Sequence, residues 1–179
     1  MPIKVYPRGP FFSIESYNYP GMFVRHAFGK GEISKIEIGD SLDAKDATFV
    51  LVTGLADVTC VAFGTFNPDT PGFLSAVAAQ DNRQMILDNP TLTWENPEDH
   101  KPWKIWSAPE YATFRIVPGL ANPSAVSFEL RCKPGNYIRH RDGHLWVEPS
   151  TINPTTFNQD ATFRIVAPRA GPFIDAGPT

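Results

Sequence analysis

A shift of 114 positions lays one part of this 179-residue chain onto another without a gap. Asp46-Ala47-Thr48-Phe49 falls on Asp160-Ala161-Thr162-Phe163, Pro20-Gly21 on Pro134-Gly135, and Arg25-His26 on Arg139-His140. Across residues 13–26 and 127–140, six of fourteen positions are identical. An internal repeat decides the architecture before any local reading does, because one unit cannot bury its apolar face alone and must pack on its copies.

A third, divergent copy lies between these two. Val61-Ala62-Phe63 opens it, Pro71-Gly72 supplies the turn and Ala112-Thr113-Phe114-Arg115 closes it, with Tyr111 where the intact copies carry Asp. The Pro-Gly pairs are spaced 51 and then 63 residues, and the Ala-Thr-Phe triplets 65 and then 49. One insertion of 14 residues in the middle unit, expected near residues 90–109, accounts for both differences. The chain then reads as a single domain over 1–179, with repeats of about 11–56, 57–121 and 122–169.

The local pattern is strand and turn. Met22-Phe23-Val24-Arg25, Phe49-Val50-Leu51-Val52, Tyr137-Ile138-Arg139 and Phe163-Arg164-Ile165-Val166 are β-branched and aromatic, and Pro-Gly pairs punctuate them. Ile36-Glu37-Ile38 and Leu145-Trp146-Val147 read as further strands after Gly29, Gly31 and Gly143. The stretch from Leu74 to Ile86 looks helical by itself, but symmetry with its neighbours makes it strand. That gives four strands per unit, about twelve in all, and almost no helix. Three such units must close on one another to cover their edges. The expected fold is therefore all-β: a β-trefoil of three pseudo-repeats with an insertion in the second.

Composition excludes several functions. The net charge is −3 and the pI about 5.8, which gives no footprint for nucleic acid or an acidic membrane. No apolar run approaches the roughly 20 residues that span a bilayer. The first residues lack the apolar core of about 7–15 residues that marks a secretory leader, so a cytoplasmic protein is expected, or a secreted one lacking its leader. Four His and two Cys show no metal-ligand spacing, and no cofactor-binding motif is present. Cys60 and Cys132 stand at non-equivalent places in their units, so symmetry does not pair them.

The Ser13-x-Glu15-Ser16-x-Asn18-Tyr19-Pro20-Gly21 opening, the Val24-Arg25-His26 strand and the Asp46-Ala47-Thr48-Phe49 closure resemble the arabinose-binding domain of α-L-arabinofuranosidases, a family-42 carbohydrate-binding module with a β-trefoil fold. The resemblance covers residues 11–168, nearly the whole chain. It implies binding of arabinofuranose side chains through a His and an Asp in each competent unit: His26 with Asp46, and His140 with Asp160. The catalytic arabinosidase domain of that family has no counterpart here, so no enzymatic activity is implied. In unit two, Val77 and Tyr111 stand at the His and Asp positions, and that pocket is expected to be dead.

The chemistry fits a furanose. A carboxylate accepts from two hydroxyls at once, and a neutral imidazole donates from one nitrogen and accepts at the other. Both carboxylates are expected at a shallow surface. An Asp buried in an ion pair with the neighbouring Arg would sink the ligand reading for that unit. Arg25 and Arg139 are expected to support the rim or to pair with Glu15 or Glu129, and Tyr19 to be exposed. Phe49, Phe114 and Phe163 read as core, since Ala-Thr-Phe persists where the Asp does not. A trefoil also serves protein contact, so a protease inhibitor or an assembly subunit is the alternative function. The paired His and Asp favour the glycan reading, because an inhibitory loop has no need of them.

Overall fold

The computed structural model describes residues 10–77, 83–88, 108–151 and 153–171. Twelve strands run in chain order as three sets of four: β1 (Phe11–Ser16), β2 (Met22–Ala27), β3 (Lys30–Lys35) and β4 (Phe49–Thr53); β5 (Val61–Thr65), β6 (Phe73–Ala76), β7 (Arg83–Asp88) and β8 (Phe114–Pro118); β9 (Val126–Leu130), β10 (Asn136–Arg141), β11 (His144–Pro149) and β12 (Phe163–Val166). The first and fourth strands of each set form a ring in which β1 pairs β4, β4 pairs β5, β5 pairs β8, β8 pairs β9, β9 pairs β12 and β12 returns to β1, all antiparallel. That is a closed six-stranded barrel with no free edge.

The second and third strands form three hairpins, β2–β3, β6–β7 and β10–β11. These join each other in a smaller ring through β3–β11, β3–β7 and β7–β11. A barrel capped by a hairpin triplet with pseudo-threefold symmetry is a β-trefoil, as the repeats require. Where the hairpins converge, a Cβ on Gly31 would stand 3.0 Å from Met85 Cβ and 3.1 Å from Leu145 Cδ1, so only glycine closes that junction without a shift. The Leu74 to Ile86 stretch is strand at β6 and β7, as symmetry demands.

Phe49, Phe114 and Phe163 open the fourth strands and are fully buried, as are Phe63 and Phe128. Ring contacts link them: Phe63 to Phe128 at 5.0 Å, Phe63 to Phe114 at 5.7 Å and Phe128 to Phe163 at 5.7 Å. Aromatic pairs at these distances add to the burial of their large apolar surfaces.

Helix is scarce, as expected, but its placement bears on the site, and one expected strand needs correction. Helix is present: α1 (Leu42–Asp46) and α2 (Pro154–Asp160) precede the fourth strands of units one and three, and a 3-10 turn, Pro109–Ala112, stands at the same place in unit two. The Asp of Asp-Ala-Thr-Phe is thus the last residue of a helix rather than a bare turn former. Ser41 caps α1 by accepting from Ala44 N at 3.1 Å, and Pro154 occupies the first turn of α2. Ile36-Glu37-Ile38 is not a strand: Phe28-Gly29 turns the hairpin directly into β3, which ends at Lys35. Ile36 instead packs with Phe23, Ala44, Ala47, Phe66 and Ala170 in a second apolar cluster. The expected insertion and its tryptophans Trp94, Trp103 and Trp106 fall at 89–107, outside the described residues.

Candidate functional site

The three fourth-strand entrances show why one tripeptide survives in every unit. The Thr hydroxyl donates to the carbonyl four residues back: Thr48 to Ala44 at 2.8 Å, Thr113 to Pro109 at 2.8 Å and Thr162 to Asn158 at 2.7 Å. Each Oγ1 then accepts a backbone N–H from the end of another unit, Ala170, Ala56 and Ala121 respectively. Thr and Phe are therefore structural in all three units. Only the Asp is free to vary, and it does.

In units one and three, the helix end places the Asp beside the inward face of the second strand, where Arg and His follow one another. His26 and His140 are 2% and 4% exposed, and Asp46 and Asp160 are 6% and 7% exposed. The structure thus brings together each His–Asp pair that the sequence singles out, but in the interior rather than at a shallow surface. His26 Nε2 lies 3.5 Å from Asp46 Oδ1, and His140 Nε2 lies 3.8 Å from Asp160 Oδ1. Burial is the largest influence on both imidazoles and lowers their pKa. The neighbouring Asp opposes that effect, and the adjacent Arg adds to it. Burial thus favours the neutral form of both rings, which can donate at one nitrogen and accept at the other.

The arginines do not pair with Glu15 or Glu129, as the sequence suggests. Those glutamates accept from Gly21 N at 2.8 Å and Gly135 N at 3.1 Å, and so hold the two Pro-Gly turns. Both glycines have φ above +80°, the conformation that such a turn demands. Arg139 bonds Asp160 Oδ2 at 2.9 Å and reaches Glu148 at 3.4 Å, with all three side chains buried. It also lies over the Phe157 ring. This is the buried ion pair that argues against a free ligand-binding carboxylate in unit three. Arg25 is different. It reaches the exposed Asp43 at 3.0 Å and comes only within 3.9 Å of Asp46.

Two asparagines complete the centres and were not singled out from the sequence. Asn67 Nδ2 donates to Asp46 Oδ1, and Asn18 Nδ2 to Asp160 Oδ1, each at 2.8 Å. Each comes from the loop after the first strand of the next unit around the ring. The centres therefore lie between units, one and two for Asp46, three and one for Asp160. Asn18 sits in the Asn-Tyr-Pro-Gly opening, which was the available signal. Tyr19, 55% exposed, sets its ring edge-on to His140 at 5.4 Å, so this residue of unit one belongs to the unit-three centre. At the equivalent places in unit two stand Val77, Tyr111 and Cys132. That set lacks both the carboxylate and the imidazole. No disulfide joins the cysteines; Cys60 is buried and Cys132 exposed.

Comparison with known proteins agrees with this architecture. The chain is 31% identical over 106 residues to a probable alpha-L-arabinofuranosidase B of Aspergillus niger, and 31% identical over 98 residues to the alpha-L-arabinofuranosidase B of Aspergillus kawachii. These alignments take in 57% and 52% of this chain but only 18% and 17% of the relatives. Among solved structures, an arabinofuranosidase complexed with arabinofuranosyl-alpha-1,2-xylobiose superposes with a TM-score of 0.68 at 22% identity, over 93% of this chain and 32% of the other. A BEL beta-trefoil shares the fold at a TM-score of 0.57 and 8% identity, over 90% of this chain and 96% of the other. Residues 12–76 and 104–172 match the family described as the Alpha-L-arabinofuranosidase B (ABFB) domain, and the chain belongs to that family.

Proposed function

We propose that this chain is a non-catalytic carbohydrate-binding module that recognises arabinofuranose-type side chains of plant polysaccharides. The observation that carries the reading is the His–Asp–Asn centre, built twice at unit boundaries and lost at the third. Packing alone does not require it, because unit two keeps the same Thr and Phe framework without it. In unit one a neutral imidazole and a carboxylate edge stand side by side, which matches the paired donor and acceptor needs of adjacent sugar hydroxyls. Unit three carries the same residues with more of their bonding capacity met by protein partners.

The binding reading concerns the domain that is matched. The chain spans less than a fifth of the curated arabinofuranosidases it matches. Arginine also holds carboxylates beside each His: Asp43 on Arg25, and Asp160 and Glu148 on Arg139. Such pairing suits recognition and fold, not the separated acid and nucleophile of a glycosidase.

Affinity electrophoresis tests the reading. The protein should be retarded in a gel containing arabinoxylan and run freely in one containing the same xylan stripped of arabinose. Asp46→Asn should lose most of the retardation. Equal mobility in both gels overturns the proposal.

A further inference from the structure

The two centres share residue types but differ in one bond, and the cause is readable two residues beyond the bridging asparagine. Asn67 Oδ1 accepts from the backbone N–H of Asp69 at 3.1 Å, closing a local turn. Asn18 cannot close that turn, because the residue two further on is Pro20, which has no N–H. Its Oδ1 turns instead into the unit-three centre, 2.9 Å from His140 Nε2 and 3.0 Å from Ser16 Oγ. The bonding there has one consistent assignment. Ionised Asp160 only accepts, so the Asn18 amide nitrogen faces it, the amide oxygen faces His140, and His140 Nε2 carries the proton.

Unit one has neither partner. Asn67 Oδ1 is held by its own turn. Thr65, at the place of Ser16, donates to Thr70 O at 2.8 Å and accepts from Gly72 N at 3.1 Å. His26 Nε2 is left buried with no hydrogen-bond partner among the described residues, and Arg25 Nε beside it likewise. A buried polar atom without a partner is costly, and a ligand hydroxyl that reaches it recovers that cost. At His140 the same hydroxyl must first displace the Asn18 carbonyl at 2.9 Å and the Ser16 hydroxyl at 3.1 Å from Nε2, an exchange with little net gain.

Resting on the glycan reading above, we infer that the sugar fills unit one first, and that Asn18, freed by Pro20, acts as an internal latch on unit three. Pro20 and Asp69 are then the residues that rank the two sites, although neither is assigned any contact with sugar.

The experiment is an NMR titration of the uniformly 15N-labelled protein with methyl α-L-arabinofuranoside, following the imidazole nitrogens of His26 and His140. The His26 resonances should reach half-shift at a concentration about tenfold lower than those of His140, one net hydrogen bond being worth about that factor. In Pro20→Ala a backbone N–H appears at position 20 and captures Asn18 Oδ1. The His140 midpoint should then fall toward that of His26, which stays where it was, the Ser16 contact with His140 Nε2 keeping the two apart. Equal midpoints in the parent protein, or His140 shifting first, overturn the ranking while leaving the glycan reading intact. An unchanged His140 midpoint in Pro20→Ala overturns the latch. If neither histidine responds at any concentration, the glycan reading fails and takes this inference with it.

Discussion

The backbone N–H of Ala170 donates to Thr48 Oγ1 at 2.9 Å, tying the end of the third repeat to the end of the first across 122 residues. Ala56 with Thr113 and Ala121 with Thr162 repeat the bond, so each unit's threonine grips the tail of the unit before it and the last grip closes the circle. Thr162→Val keeps the shape but strands the Asn158 carbonyl and the Ala121 N–H. It should cost about 1–3 kcal/mol for the two part-buried hydrogen bonds lost. Thr113→Val should cost as much, although its unit has no His–Asp centre. Urea denaturation reads both, and a loss under 0.5 kcal/mol at either site would leave the ring unexplained.

The two aspartates should separate stability from binding. Asp160 is buried between Arg139 and Asn18, so Asp160→Ala leaves a buried guanidinium with Glu148 as its one carboxylate partner and should destabilise by about 3 kcal/mol. A surface carboxylate would have cost almost nothing on removal, and the buried pairing is why that expectation changes. Asp46→Ala should cost visibly less, since Arg25 keeps its contact with Asp43 at 3.0 Å and holds Asp46 only at 3.9 Å. Its main effect should be on retardation by arabinoxylan. Thermal melts beside affinity gels decide the point; equal destabilisation by the two substitutions contradicts it.

The threefold plan was legible because Pro-Gly, Arg-His and Ala-Thr-Phe recur at one fixed shift, and a closed barrel is what three such units can build. The helices were not. Five residues in α1 and seven in α2 are too short to show a helical period, and Asp before Ala-Thr-Phe reads equally well as a turn. Burial of the centre was hidden for the same reason, since a turn residue is expected outside. Asn18 and Asn67 escaped because a local reading pairs residues within one repeat, whereas each centre borrows its asparagine from the next. Nothing in either loop marks that reach until the ring is closed.

The hairpin tips offer a further test. Phe28 has φ +50° and its side chain is fully solvent-exposed, while Asp142, its counterpart, adopts φ +54°. The left-handed region suits Asp, Asn and Gly and is strained for a bulky aromatic. Phe28→Asn should therefore raise stability by about 0.5–1 kcal/mol with no loss of packing. Differential scanning calorimetry measures it, and an unchanged or lower Tm would show that the ring is held by contacts absent from this conformation.

The pH dependence follows from the two buried histidines. Both have folded pKa values below that of a free histidine, chiefly through burial, so the unfolded chain binds protons that the folded protein refuses. Stability should be at its plateau above the unfolded pKa of about 6.5 and should fall as pH drops from there through the folded values. Asp46 and Asp160 soften this effect by favouring the protonated rings, while Arg25 and Arg139 sharpen it. The double variant His26→Gln, His140→Gln removes both titrating groups. It should be less stable than the parent at pH 7.5, yet lose less of its Tm between pH 7 and pH 5. Parallel curves for parent and variant over that interval would assign the acid lability to other groups.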